Sequence, residues 1–409
     1  MIIVADRILT GDRSMVLKDA AVCIKDGVIQ KIGKKDELEA AFPQEAVVSY
    51  PGCTLLPGLI DLHTHIGLAI NYDYEGKYNS PALCALFAAG RMRETLKKGV
   101  LTIRDSSSAN GIGTALKQAA ADGHILAPRI FASLQGITIT GGHGADAING
   151  GVIEADGALE VKKAVRLNIK RGADCIKVLT SEGYRGEELD QEELNAAVAE
   201  AHRFGRKVAA HAGYGRSLDM CIEAGVDSIE HGTNLTVEQA KRMKERDITL
   251  VPTVMVFNYV YNESMKNISA LGSLKGKPAV LQYLEEAVAA YQKNLRSLYD
   301  TGVRMATGTD TDCTNYPGAS PVADECAYMV SCGLKPLEAV ECATKNGADY
   351  LGLGDTLGQV KEGYTADLIV VGGDPSSDIA ALKDIKAVYQ SGKDIFSGAV
   401  KYREQKQET

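Results

Sequence analysis

The chain has 409 residues, 45% of them hydrophobic and 24% charged, with a formal net charge of −8. It can bury a large core, but its acidity argues against a nucleic-acid-binding face, and the lack of any run of ~18 apolar residues argues against a membrane span. The start, MIIVADRILTGDRS, lacks the basic region and cleavage site of a signal peptide, and nine cysteines are scattered with no CxxC pair, so a cytoplasmic protein with reduced thiols is expected.

In chain order, residues 1–57 read as short β segments, MIIVADRIL, AAVCIKDGVIQKIG and AVVSYPGCTLL, with turns such as Asp26-Gly27. Residues 58–355 alternate apolar strands with amphipathic helices. Eight candidate strands follow one another: GCTLLPGLIDLHTH, GVLTIRD, RIFASLQGI, DCIKVL, RKVAAHA, VDSIEH, ITLVPTV and VRMATGTD. Between them, DQEELNAAVAEAHRFG has an acidic start, helical spacing of its apolar residues and a glycine just past its end. SLDMCIEAGV and TVEQAKRMKERD have the same character. The last zone, GQVKEGYTADLIVVGGDPSSDI onward, returns to β segments. The pattern predicts an α/β protein: a (β/α)8 TIM-type barrel over 58–355, with a small β-sandwich domain built from 1–57 plus 356–409. A doubly wound open sheet is the alternative, but no GxGxxG or P-loop follows an early strand.

The metal-competent residues collect at the ends of these strands, the catalytic face of such a barrel. His63 and His65 close the first strand; two residues apart, they point to one face about 6–7 Å apart along the chain. His211 closes RKVAAHA, His231 closes VDSIEH and Asp310 closes VRMATGTD. His124 and His202 fall in helical or turn segments. A single strand-end histidine is more often a hydrogen-bonded rim residue than a ligand. Five metal-competent groups at four barrel positions favour ligation. Lys177, inside DCIKVL, has two readings that chemistry alone leaves open: a salt bridge to Asp310 or another carboxylate, or carboxylation by CO₂ to an anionic, metal-bridging ligand.

HxH, the strand-four lysine, the histidines of strands five and six and the strand-eight aspartate, in this order, resemble the metal-dependent amidohydrolase superfamily over nearly the whole chain. ITGGHG and GADCIKV are similar to its imidazolonepropionase-related, prolidase-like branch. The resemblance implies two divalent cations, usually Zn²⁺, bridged by N6-carboxylysine at Lys177. His63, His65, Asp310 and Lys177 would hold one; Lys177, His211 and His231 would hold the other. It also implies a small-molecule amide substrate, a dipeptide or N-acyl amino acid, and a homo-oligomer. Two departures stand out: TSEGYRG after the lysine, where relatives tend to have a Ser-Gly-Gly-like turn, and Tyr364, where a lysine is common.

Two cations sharing a water bring its pKa towards neutrality. Asp310 is then placed to take the hydroxide's proton and pass it to the departing amine. His143, on the glycine-rich GGHG loop, and Tyr214, three residues after His211, are candidate oxyanion or substrate contacts. Arg185 and Arg216 are candidates for a substrate carboxylate, and the loop from Cys313 to Glu325 for shaping the pocket. Arg104-Asp105 reads as an ion pair at the barrel mouth. A lactonase or xenobiotic-type hydrolase on the same site, and a silent scaffold on the same fold, are the alternatives; retention of all six ligand candidates counts against the scaffold.

Overall fold

A computed structural model describes residues 1–66, 80–145, 150–182, 186–266, 278–311 and 320–397. The chain packs as two compact units: Met1–Ile60, Leu96–Leu101 and Lys335–Thr409 make one, Asp61–Thr95 and Thr102–Leu334 the other.

In the first unit both termini enter one hydrogen-bonded sheet of seven strands. Its order is Lys393–Ser397, Ile385–Gln390, Leu368–Gly372, Val47–Pro57, Ile2–Leu9, Val16–Lys25 and Val28–Gly33. The two ends of the chain join where Leu368–Gly372 runs antiparallel to Val47–Pro57, with Leu368 opposite Pro57 and Gly372 opposite Cys53. The sequence suggests two stacked sheets; among the described residues a single ladder carries all seven strands. Strand alternation gives the sheet two apolar faces. Ile3, Ile8, Val22, Leu55, Leu368 and Val370 form the larger core. Ile2, Ala21 and Cys23 pack with Leu38 of the short helix Lys35–Ala41. Tyr364 is buried in this unit and donates its hydroxyl to the carbonyl of Gly354 at 2.8 Å.

The second unit is built on parallel strands. Six form one sheet in the order Thr249–Val251, Ser228–His231, Lys207–Ala212, Cys175–Leu179, Gly136–Thr138, Val152–Glu154. A further sheet has the order Leu59–Thr64, Val100–Asp105, Arg129–Ala132. Cys175–Leu179 is buried along its whole length, as expected of a parallel strand covered on both faces.

Three predicted strands take a different form. GCTLLPGLIDLHTH is split: its first six residues end the strand Val47–Pro57 of the seven-stranded sheet, and Leu59–Thr64 begins a separate sheet. RIFASLQGI is split into Arg129–Ala132 and Gly136–Thr138, with Leu134 between them at φ 61°. VRMATGTD forms no regular strand, only a single parallel bridge from Met305 to Leu250. Its backbone is still satisfied on both sides. Ala306 N–H donates to Leu250 O (3.0 Å), Leu62 N–H to Thr307 O (2.9 Å) and Asp310 N–H to His63 O (2.7 Å). Local geometry explains the break. Gly308 lies so close to its neighbours that a Cβ there would meet Val251 Cγ1 at 2.4 Å and His63 Cβ at 2.7 Å, and Asp310 leaves the segment at φ 51°.

The helices follow their capping signals. At the start of Gln191–Arg203, Glu193 N–H donates to Asp190 Oδ1 and Asp190 N–H to Glu193 Oε2, each at 2.8 Å, which satisfies two otherwise orphaned donors. The cysteines among the described residues are all free and buried. No described helix is long and apolar enough to cross a membrane. Replacing Asp190 by Ala removes one half of the capping box, so a loss of about 1 kcal/mol is expected. Chemical denaturation of the variant against the parent measures it, with unchanged stability as the contrary result.

Candidate metal centre

Strand alternation turns Asp61, His63 and His65 to the same side of Leu59–Thr64. Asp61 anchors the group: it accepts from His63 N–H (3.1 Å), Thr309 N–H (3.0 Å) and Thr309 Oγ1 (2.6 Å). It thereby ties the HxH strand to the segment that carries Asp310.

Around it the predicted residues converge. Asp310 Oδ1 lies 2.9 Å from His65 Nε2 and 3.4 Å from His63 Nε2; ligating atoms of these three side chains all fall within 4.8 Å of one another. Lys177 Nζ is 3.5 Å from His63 Nε2. The ring centroids of His63 and His231 are 5.0 Å apart, and those of His211 and His231 4.4 Å. His143 stacks on His211, with centroids 4.4 Å apart and planes at 30°. All six proposed ligands and His143 therefore occupy one cluster.

Backbone strain helps to assemble it. His231 (φ 69°), Thr253 (φ 52°) and Asp310 (φ 51°) are non-glycine residues in the left-handed region, at an expected cost on the order of 1–3 kcal/mol each. In a regular strand Glu230 and His231 would point to opposite faces. The turn at His231 lets both approach His63.

Glu230 went unread in the sequence, and it organises the site. Arg104 is fully buried and donates to both carboxylate oxygens of Glu230 at 2.7 Å, to Ser228 Oγ at 3.0 Å and to the carbonyl of Leu62. Glu230 Oε2 accepts in turn from His63 Nδ1 at 2.7 Å. The expected pairing of Arg104 with Asp105 at the barrel mouth is thus corrected: neighbours along a strand face opposite ways, and the ion pair Arg104 makes is with Glu230, in the interior. The sequence signal was the pairing of Arg104 and Glu230 as charged residues inside otherwise apolar strands.

The electrostatics fit a cation site. Burial works to raise Glu230's pKa, but Arg104 and His63 hold it well below the ordinary carboxylate range. An ionised Glu230 can only accept, so the proton sits on His63 Nδ1 and the Nε2 lone pair faces Asp310 and Lys177. Burial, with Lys177 nearby, lowers His63 to about 4. Burial also holds His211 and His231 well below their ordinary value, so all three are neutral at pH 7. His65 has its Nδ1 on the carbonyl of Ser107 at 3.2 Å, and against the pull of burial Asp310 raises its pKa. The shared position between Nε2 and Oδ1 thus attracts positive charge. Burial lowers Lys177 to about 8, and among the described residues it makes no ion pair, so the salt-bridge reading of Lys177 does not describe this structure. A neutral, nucleophilic amine is the form that CO₂ carboxylates. Three convergent lone pairs, neutral imidazoles of which His63 and His231 have their Nδ1 atoms engaged, and a buried amine are the donor set that divalent cations require.

Other candidates are placed differently. Tyr214 is exposed and lines a pocket of about 350 Å³ with Leu218, Asn234 and Gln239. Arg216 is exposed at the start of the helix Arg216–Ala224. Arg185 and most of the loop after Asp310 lie outside the described residues. His202 pairs with Asp227 at 2.8 Å, away from the cluster. Also unread in the sequence was Glu188, whose Oε2 accepts from His143 N–H at 2.8 Å and fixes the GGHG loop.

A family model described as Amidohydrolase family matches residues 54–395. The chain belongs to the amidohydrolase family. It is 33% identical to the ochratoxinase of Aspergillus niger over 434 aligned residues, covering 97% of this chain and 86% of that protein. The crystal structure of A. niger ochratoxinase superposes with a TM-score of 0.84 at 29% identity, covering 97% of this chain and 95% of that one. A Xaa-Pro dipeptidase crystallised with methionine in its active site gives a TM-score of 0.85 at 29% identity, covering 97% and 99%. The imidazolonepropionase of Haloarcula marismortui is 22% identical over 420 residues, covering 98% of this chain and 92% of that protein. The imidazolonepropionase-related, prolidase-like resemblance of the sequence is therefore met in its relatives.

Two outcomes follow from the site's electrostatics. Glu230→Gln takes the charge partner from Arg104 and the acceptor from His63 Nδ1, so metal affinity should fall about 10–100-fold; equilibrium dialysis against Zn²⁺ reads it. The metal-free protein should also lose stability on acidification. His63 takes a proton near pH 4 when folded and near 6.5 when unfolded, so between these values the unfolded chain binds more protons. Its Tm should fall as pH drops from about 6.5 to about 4, and a flat profile over that range would remove the buried neutral histidine from the account.

Proposed function

We propose that this amidohydrolase cleaves the amide bond of a dipeptide or N-acyl amino acid, using two divalent cations, of zinc type, at the cluster described above. The observation that carries this reading is the convergence of His63 Nε2, His65 Nε2 and Asp310 Oδ1 beside the buried amine of Lys177. Lys177 would attack CO₂ through its neutral Nζ, forming the N–C bond and releasing one proton, to become a carbamate anion. His63, His65 and Asp310 would then hold one cation and His211 and His231 the other, with the Lys177 carbamate available to both. A closed eight-stranded barrel is part of the proposal, supported by the backbone bonds that join segment 304–310 to both Thr249–Val251 and Leu59–Thr64.

When bound, the cations would lower the pKa of a shared water and polarise the scissile carbonyl. The chain's residues do the rest. Asp310 takes the water's proton on its carboxylate and delivers it to the leaving nitrogen as the C–N bond breaks, the step without which an amine is a poor leaving group. His143, held by Glu188 and stacked on His211, turns its ring towards the developing oxyanion. Tyr214, on the loop after His211, contacts the more distant part of the substrate. The relatives named ochratoxinase and Xaa-Pro dipeptidase support an amide of this type. A homo-oligomeric, cytoplasmic enzyme completes the reading.

The test is a panel of dipeptides and N-acyl amino acids assayed with protein loaded with zinc and bicarbonate, alongside Asp310→Asn. Amide turnover should fall by about 10³-fold or more in the variant while most of its metal is retained. Near-parental turnover in Asp310→Asn would remove the aspartate from proton transfer. Ester or lactone turnover with none on any amide would overturn the substrate class.

A further inference from the structure

We propose that Glu325 is a positioning residue for His231, acting through the turn at residues 252–255 and the hydroxyl of Thr253. Glu325 lies in the helix Pro321–Ser331 and is fully buried. Its carboxylate accepts from Val254 N–H at 3.0 Å and from Met255 N–H at 2.6 Å, the first amides of the helix Val254–Lys266. Immediately before them, Thr253 sits at φ 52° with its Oγ1 2.7 Å from His231 Nδ1. A second side chain pins the same turn: the Tyr291 hydroxyl donates to Pro252 O at 2.7 Å and His231 O at 3.2 Å. The turn is held from both sides, and the group it presents is the one that fixes the His231 ring.

A helix start normally finds its cap in its own preceding residue, an exposed Ser, Thr, Asp or Asn. Here the cap comes from about 70 residues further on, as a carboxylate whose burial raises its pKa to about 8. That arrangement is not the usual cap of a helix start. It is accounted for if the two hydrogen bonds hold Thr253 in its left-handed conformation, since without them the hydroxyl would swing away from Nδ1. Glu325 thus plays for His231, at one remove, the part that Glu230 plays for His63.

The proposal rests on His231 being a ligand of the second cation, and the experiment separates the two ideas. Metal-free protein carrying ¹⁵N-labelled histidine is compared with Glu325→Gln, whose amide nitrogen cannot accept from a backbone N–H. The His231 ring resonances should move in the variant while those of His124 and His202 stay in place. In competition titrations with Zn²⁺, one of the two binding steps should lose about 10–100-fold and the other should be unchanged. Thr253→Val should reproduce both effects, and Thr253→Ser, which keeps the hydroxyl, should restore parental behaviour. If Glu325→Gln does not fold, Glu325→Asp, which withdraws the carboxylate by one methylene, gives the same readings. A folded variant with parental His231 resonances and a lowered Tm alone would overturn the proposal by making Glu325 a structural cap. Parental protein that binds a single zinc would remove the two-cation reading, and the His231 resonances would still decide the positioning role.

Discussion

Arg104 and Glu230 meet at 2.7 Å in an interior where either charge alone would be costly. Removing an ion from water costs on the order of several kcal/mol, recovered only when every donor and acceptor is matched. Here the match is nearly complete: Arg104 is also bonded to Ser228 and Leu62, and Glu230 also accepts from Ser228 Oγ and His63 Nδ1. The pair spans the strands Val100–Asp105, Ser228–His231 and Leu59–Thr64. It fixes both the relation of these strands and the tautomer of one imidazole. The lone pair of His63 points at Asp310 and Lys177 because its other nitrogen has already been claimed.

The same economy recurs around the cluster. Asp61 ties the backbone of His63 to Thr309, Glu188 ties His143, and Thr253 meets His231. Each group that faces the centre is held by another that does not. Rigid, desolvated imidazoles at low proton affinity are favourable for binding a cation and unfavourable for stability in its absence. The strained φ values at His231, Thr253 and Asp310 carry the same cost.

Much of this was legible in the sequence because the strand period is two and strand ends carry the chemistry of such folds. His63, His65, His211, His231 and Asp310 could each be placed at a strand end and Lys177 inside the fourth strand, and the structure brings all six together. What alternation could not supply was Glu230. Regular pleating would send it away from His231, and only the positive φ of His231 turns both towards His63. Arg104 was misplaced for a related reason: adjacency to Asp105 suggested a local pair, while partners in a sheet are decided across strands. The eighth strand was expected to be regular, and the close approach of Gly308 to His63 and Val251 breaks it.

The sequence by itself determined the family, the alternation of strands and helices, and the identity of the groups that converge. These are written in composition and in short periods along the chain. Only the tertiary structure decided which nitrogen of His63 and His65 faces the centre, which groups hold the rings of His63, His65 and His231, and how Lys177 comes to be a buried amine without an ion pair. Those properties depend on burial and on partners more than 100 residues apart, as Arg104 and Glu230 are, and no local pattern in a chain encodes how far its side chains are removed from water.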